Sequence, residues 1–174
     1  MTRHNVARVP ISGGGPLISP YQQDDGAIIH AAEDFTVKGY NIIYGFRRFS
    51  DFSRHPRRVV CAGGYCSSAA GRYQFLDKTW NLLQRNLSSA GFNPFPKFTP
   101  EYQDQAALYL IDWKQRVMDE IDRGDFVGFL RQGCKEWASL PDPRTGRSFY
   151  DQPTAFSVTG GERIFKQLFD LWNA

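Results

Sequence analysis

The sequence predicts an α+β fold, mostly helical, with a small β patch placed early. Helical periodicity recurs along the second half of the chain, as in Trp80, Leu83 and Leu87 and again in Ala106, Leu110, Trp113 and Val117. "YNIIYGF" alternates instead, with Tyr40, Ile42, Tyr44 and Phe46 on one side, as in a strand. No repeat or linker divides the 174 residues, a length suited to one core.

Residues 1–22 read as a flexible arm, given Gly13-Gly14-Gly15-Pro16 and little periodicity, which leaves 23–174 as the folded domain. Asp24 and Asp25 can cap a helix that buries Ile28, Ile29, Ala31 and Ala32. Glu33 falls at the edge of that face and at the helix C-terminal end, beside Asp34. Partial burial, the helix dipole and a like charge all push its carboxyl pKa upward, the property of a general acid. The competing reading is a solvated acid where the helix frays.

After the strand, "RRFSDFSRHPRR" is a basic, extended or turning segment. Residues 61–71 are expected to form a mobile, small-residue loop. "DKTWNLLQRNL" is a helix interrupted by "GFNPFPKF". Thr99-Pro100-Glu101 starts the next helix, which is expected to run to Gly124. Asp125 opens another that reaches about Trp137, and a Pro/Gly-rich loop leads to the final helix, "GERIFKQLFDLW".

Hydrophobic content of 41% and charged content of 22% exclude a disordered chain. The net charge of +3 weakly favours polyanionic surroundings. No apolar run is long enough to span a bilayer, and the basic N-terminus lacks the apolar core of a secretory signal. Cys61 and Cys66 in "CAGGYC" can close a disulfide in an oxidising compartment. They have no partner pair that would make a zinc site, so no metal is expected, and Cys134 reads as core.

Two further stretches carry chemistry. In "SSAAGRYQF", the missing Cβ of Gly71 permits close backbone approach, and Gln74 can hold a carboxyl or bind sugar hydroxyl and N-acetyl groups. The alternative makes Tyr73 and Phe75 core and Gln74 a surface residue. In "WASLPDPRTGRSFYDQ", Trp137 is either a saccharide-stacking ring or a core Trp, and Tyr150 and Gln152 lie in a long loop.

Glu33, "GY" at 39–40, "FSDFSRHPRR" at 49–58, "AGRYQ" at 70–74, "IDRGD" at 121–125 and "WASLP" at 137–141 together resemble the lambda-type phage endolysins. These are lysozyme-like lytic transglycosylases, and the resemblance runs from about Ile28 to Gln152. The Gly71-to-Gln74 spacing is also similar to the Gly-x-x-Gln element of transglycosylases and goose-type lysozymes.

The resemblance implies two lobes with a small sheet and a glycan-binding cleft. It implies Glu33 as the catalytic acid, with Tyr73 and Gln74 near it and Tyr150 with Gln152 in the upper lip of the cleft. The chain departs from the family at Asp34, where the family has Gly, and in the "CAGGYC" and "DPRTGRSF" loops. The arm has no counterpart there.

The implied reaction cleaves the MurNAc–GlcNAc bond of peptidoglycan with formation of 1,6-anhydro-MurNAc, without metal or organic cofactor. The implied setting is synthesis in a host cytoplasm and action on the cell wall, in the periplasm. Access would come through a holin-type permeabilising protein or as a virion component, without stable membrane insertion. A hydrolytic lysozyme would need a second carboxylate, and Asp51 is the available one, although it sits among Arg47, Arg48, Arg54, Arg57 and Arg58. A rival of another class is a non-catalytic wall- or nucleic-acid-binding module built on those arginines and Phe46, Phe49 and Phe52. The endolysin reading expects no nucleic-acid partner.

Overall fold

The computed structural model describes residues 39–174. The predicted arm and the predicted helix ending in Glu33 lie outside the described residues. The described chain falls into two compact units, residues 39–108 and residues 109–174.

In the first unit, β1 (Ile42–Ile43) pairs antiparallel with β2 (Arg47–Arg48). The expected single strand over 40–46 is therefore a tight hairpin. Gly45 (φ +76°) and Phe46 (φ +59°) turn the chain, and Phe46 is half exposed. Ile42 and Ile43 are both buried, against simple alternation. Ile43 bridges to Ala70, and the Ile42 carbonyl accepts from Gly71 N at 2.7 Å, so the 70–75 turn covers this short ladder.

The segment expected to be a mobile loop is a second hairpin, β3 (Val60–Ala62) with β4 (Tyr65–Ser67). Gly63 and Gly64 both have positive φ, +57° and +84°. That pair suits the two-residue turn whose twist matches the strands it joins. Cys61 faces Cys66 across the ladder, and the two form a disulfide.

α1 (Asp77–Ser89) buries Trp80, Leu83 and Leu87, the predicted face. α2 (Pro100–Tyr109) adds Ala106 and Ala107. Phe98 is fully buried among rings, edge-on to Trp80 at 4.7 Å and to His55 at 4.8 Å. His55 is 1% exposed. Its Nε2 lies 2.8 Å from the Phe75 carbonyl, and its Nδ1 accepts from Arg57 N at 3.1 Å. A carbonyl on one side and an N–H on the other select the neutral Nε2–H tautomer. Burial also lowers the imidazole pKa. The histidine of the basic segment is thus a core residue.

The helix from Pro100 does not run unbroken to Gly124. α2 passes into a π-helical stretch, Leu110–Gln115, that ends at Arg116 in the left-handed conformation (φ +54°). Wider turns shift the register of the side chains, so Leu110 and Val117 are buried while Trp113 is only partly covered. α3 (Met118–Asp122) follows.

α4 (Phe126–Gly133) is capped by Asp125, whose Oδ1 accepts from Gly128 N at 2.7 Å. It stops at Gly133, four residues before Trp137, and turns carry the chain onward. α5 (Val158–Trp172) is capped by Ser157. Phe126 packs on Phe165 at 5.3 Å and on Phe156 at 6.1 Å. Gly161 admits this packing, since a Cβ there would lie 2.7 Å from Phe126 Cζ.

Candidate active site

The Ala70–Phe75 turn is closed by paired backbone bonds, Ala70 N to Phe75 O at 3.0 Å and Phe75 N to Ala70 O at 2.9 Å. Gly71 has φ +77°. A Cβ on it would collide with Gln103 Oε1 and sit 2.9 Å from Phe98 Cζ. Both conformation and space therefore require glycine here.

Gln74 also has positive φ (+48°), an uncommon state for a residue with a side chain. Its Nε2 donates back to Gly71 O at 2.8 Å and to Ile42 O at 3.3 Å. The amide is thereby held over its own turn, half-buried.

Tyr73 points into the unit and is 6% exposed. Its hydroxyl donates to Asp104 Oδ1 at 2.7 Å, while the Tyr40 hydroxyl reaches Asp104 Oδ1 and Oδ2 at 2.9 and 3.0 Å. The Arg72 guanidinium lies over the Tyr40 ring, 5.1 Å from its centre. Burial raises the Asp104 pKa against the opposing pull of the two hydroxyls. Burial and the neighbouring carboxylate push the Tyr40 hydroxyl up to about 12, and they raise Tyr73 as well.

Gln103, fully buried, binds the same region from below. Its Oε1 accepts from Arg72 N at 2.9 Å, and its Nε2 donates to Tyr40 O at 3.0 Å and Phe98 O at 2.8 Å. Neither Gln103 nor Asp104 was singled out from sequence. The available signal was a Gln three residues before Ala106, on a stripe that otherwise reads as core.

The remaining expected residues belong to the second unit. Trp137 is 4% exposed, in the turn after α4, with its N–H on the Gly133 carbonyl. Tyr150 is half exposed and donates its hydroxyl to the Lys135 carbonyl at 2.6 Å, on the backbone leading to Trp137. Gln152 is exposed and follows Asp151, which has φ +54°. Tyr73 and Gln74 thus share one turn but bond different partners, and Tyr150 rests on the backbone leading to Trp137. Glu33 lies outside the described residues.

Asp51 is exposed and forms a local turn, its Oδ1 accepting from Ser53 N at 2.8 Å. Hydrogen bonds from Ser53, with Arg54 nearby, hold its carboxyl below the usual range. Among the described residues, no group of three or more His, Cys, Asp or Glu could hold a metal, and no helix is long and apolar enough to cross a membrane.

A family model described as Endolysin matches residues 24–162. The chain is 36% identical to the endolysin of Escherichia phage lambda over 111 residues, 63% of this chain and 65% of the lambda protein, just under two thirds of that relative. It is 31% identical to the endolysin of Escherichia phage P2 over 122 residues, 65% of this chain and 70% of that protein. Among solved structures, bacteriophage lambda lysozyme complexed with a chitohexasaccharide matches with a TM-score of 0.62 and 29% identity. The match covers 81% of this chain and 89% of the other. A second structure of lambda lysozyme gives a TM-score of 0.60, with 27% identity and the same coverage. These matches carry the α+β, lysozyme-like fold class, and the chain belongs to the endolysin family.

Proposed function

We propose that the chain is a peptidoglycan-degrading endolysin and that it acts as a lytic transglycosylase. The observation that carries the reading is family membership joined to the fold of a lysozyme that binds an oligosaccharide of the chitin type. Glu33 is the proposed catalytic group. Its protonated carboxyl gives a proton to the glycosidic oxygen as the C1–O bond of MurNAc breaks. The carboxylate so formed takes the proton of the muramyl 6-hydroxyl as O6 bonds to C1. The carboxyl is regenerated, no water enters, and the product ends in a 1,6-anhydro ring.

The supporting residues follow from their surroundings. Gln74, fixed over its turn, is proposed to orient the reacting groups. Tyr73 has its hydroxyl committed to Asp104, so its proposed part is to hold the 70–75 turn against α2. Tyr150 and Gln152 are the proposed glycan contacts of the second unit, with Trp137 supporting the turn on which Tyr150 rests. The catalytic domain is proposed to span 23–174, with 1–22 as an arm. Its proposed site of action is the cell wall, reached through a permeabilising partner or by virion delivery.

Product analysis on purified peptidoglycan tests the reading. The expected muropeptides are one water lighter than hydrolysis products and resist borohydride. Predominantly reducible muramic acid ends would replace transglycosylation with hydrolysis assisted by Asp51. Glu33→Gln should lower cleavage by about 10²-fold or more. Activity within a few-fold of wild type would remove Glu33 from the mechanism.

A further inference from the structure

The first unit carries a recess of about 570 Å³ beside the β1–β2 hairpin. Arg48, Arg54, Arg58, Asp51 and Asn41 line it, with Phe49 and Pro56 as its apolar wall. Among the described residues, its polar rim sets the guanidinium groups of Arg48, Arg54 and Arg58 beside the Asp51 carboxylate. The arginine beside them, Arg57, is used otherwise. Its Nε pairs with Asp77 at 3.2 Å and its Nη2 donates to Asn81 at 2.9 Å. Among the described residues, neither Arg54 nor Arg58 makes an ion pair within 4.0 Å, although the Arg54 charge lies close enough to favour the Asp51 carboxylate.

This basic segment is anchored rather than loose. His55 plugs it into the core, Phe98 N donates to Phe52 O at 2.9 Å, and Phe49 N donates to Asn41 O at 2.9 Å. Asp51 is fixed by its turn with Ser53. Because the backbone is already placed, the ordering that binding requires is confined to the side chains.

A ligand that complements every charge of this recess offers more than one anionic group, for the arginines, and a cationic group, for the oxygen of Asp51 that the Ser53 turn does not use. A phosphodiester backbone offers only anions and would set one of them against the Asp51 carboxylate. A short peptide with several free carboxylates and one free ammonium matches the pattern, since guanidinium groups bind carboxylates in a paired geometry. We propose that this recess binds the peptide stems that peptidoglycan glycan strands bear, its arginines taking the stem carboxylates and Asp51 taking the free ammonium of the diamino acid. The proposal rests on the peptidoglycan reading above and names the part of that substrate which the glycan-facing residues leave unrecognised.

The test titrates the full chain with the acetylated tetrapeptide Ac-L-Ala-γ-D-Glu-meso-diaminopimelate-D-Ala. Calorimetry gives the affinity, and the amide resonances of residues 48–58 give the location. Saturable binding is expected, weakened about tenfold or more in Arg54→Gln/Arg58→Gln, whose exposed positions leave the fold intact. Acetylating the diaminopimelate amine should weaken binding to the wild type several-fold and make no difference to Asp51→Asn.

Absence of saturable binding, or indifference of the wild type to amine acetylation, would overturn the proposal. So would a single-stranded oligonucleotide that displaces the peptide from the same resonances at lower concentration. Cleavage of glycan strands is measured in parallel. Cleavage without peptide binding overturns the recess assignment alone. Peptide binding without cleavage supports the recess and overturns the enzymatic reading.

Discussion

Residues 39–108 place a glutamine amide, an imidazole and a carboxylate inside the unit, and each is bonded to backbone or hydroxyl groups from distant parts of the chain. Residues 109–174 instead pack Phe126 against Phe156 and Phe165. Their buried polar groups shape loops, as where Ser148 Oγ donates to Ala138 O at 2.6 Å or Asp142 holds Arg144 through Nη2 at 2.7 Å. Hydrogen bonds are directional and costly to leave unmade, whereas apolar contacts tolerate changes of shape. The first arrangement fixes one geometry for the 70–75 turn. The second gives cohesion with more latitude.

The largest difference should appear in substitutions that conserve shape. Gln103→Met nearly preserves volume but leaves Arg72 N–H and the carbonyls of Tyr40 and Phe98 without their buried partner. We expect a loss of about 4 kcal/mol, from about 1–3 kcal/mol for each orphaned group with partial relaxation. Phe165→Leu, in the second unit, should cost only about 1–2 kcal/mol. Urea unfolding of both variants makes the comparison, and equal losses would break it.

A redox contrast comes next. Reducing the Cys61–Cys66 bond opens a short loop in the first unit and should cost about 2 kcal/mol at most. Cys134 in the second unit is 1% exposed, and burial raises its thiol pKa. It should react with a thiol reagent only as that unit unfolds. Rapid labelling of Cys134 in the native oxidised protein would show that the helical unit opens more readily than its packing implies.

The smallest effect is the order of acid sensitivity. The His55 pKa is lowered in the folded state, so the unfolded chain binds the proton first. Its contribution is complete above about pH 6.5 and is lost as pH falls from there toward the folded value. Asp104 acts in the opposite sense, because its raised pKa makes protonation easier in the folded unit. Asp142, lowered to about 2 by its bonds from Arg144, contributes above about pH 4 and loses that contribution as pH falls toward 2. Amide exchange followed from pH 7 to pH 3 should therefore show residues 39–108 weakening first. A second unit that loosens above pH 5 would reverse the assignment.

The helices were legible where the apolar stripe was clean, as along Trp80, Leu83 and Leu87. Gly71 was also legible, because a missing Cβ has few uses. The hairpin at 60–67 was hidden because Gly63 and Gly64 read equally well as slack and as a two-residue turn. The break at Leu110–Gln115 was hidden because the wider helical turn leaves no mark on a periodic pattern that continues through it. Among site residues, a tyrosine such as Tyr73 carries both an apolar ring and a hydroxyl, so its type does not tell a lining role from a buried anchor. Gln103 and Asp104 escaped notice because polar residues on a helix are usually solvated, and only the fold brings Gly71 and Tyr40 to them.

Gln103 also imposes an order on synthesis. Tyr40, Gly71, Arg72 and Phe98 all leave the ribosome before it, and the groups it bonds lie up to 63 residues upstream. Until α2 emerges, the Arg72 N–H and the Tyr40 carbonyl lack the glutamine amide that they bond in the folded unit. The turn that bears Gln74 is thus completed late, by an element translated after it. A nascent chain released before residue 103 would hold every residue of that turn and still lack the buried amide that braces it.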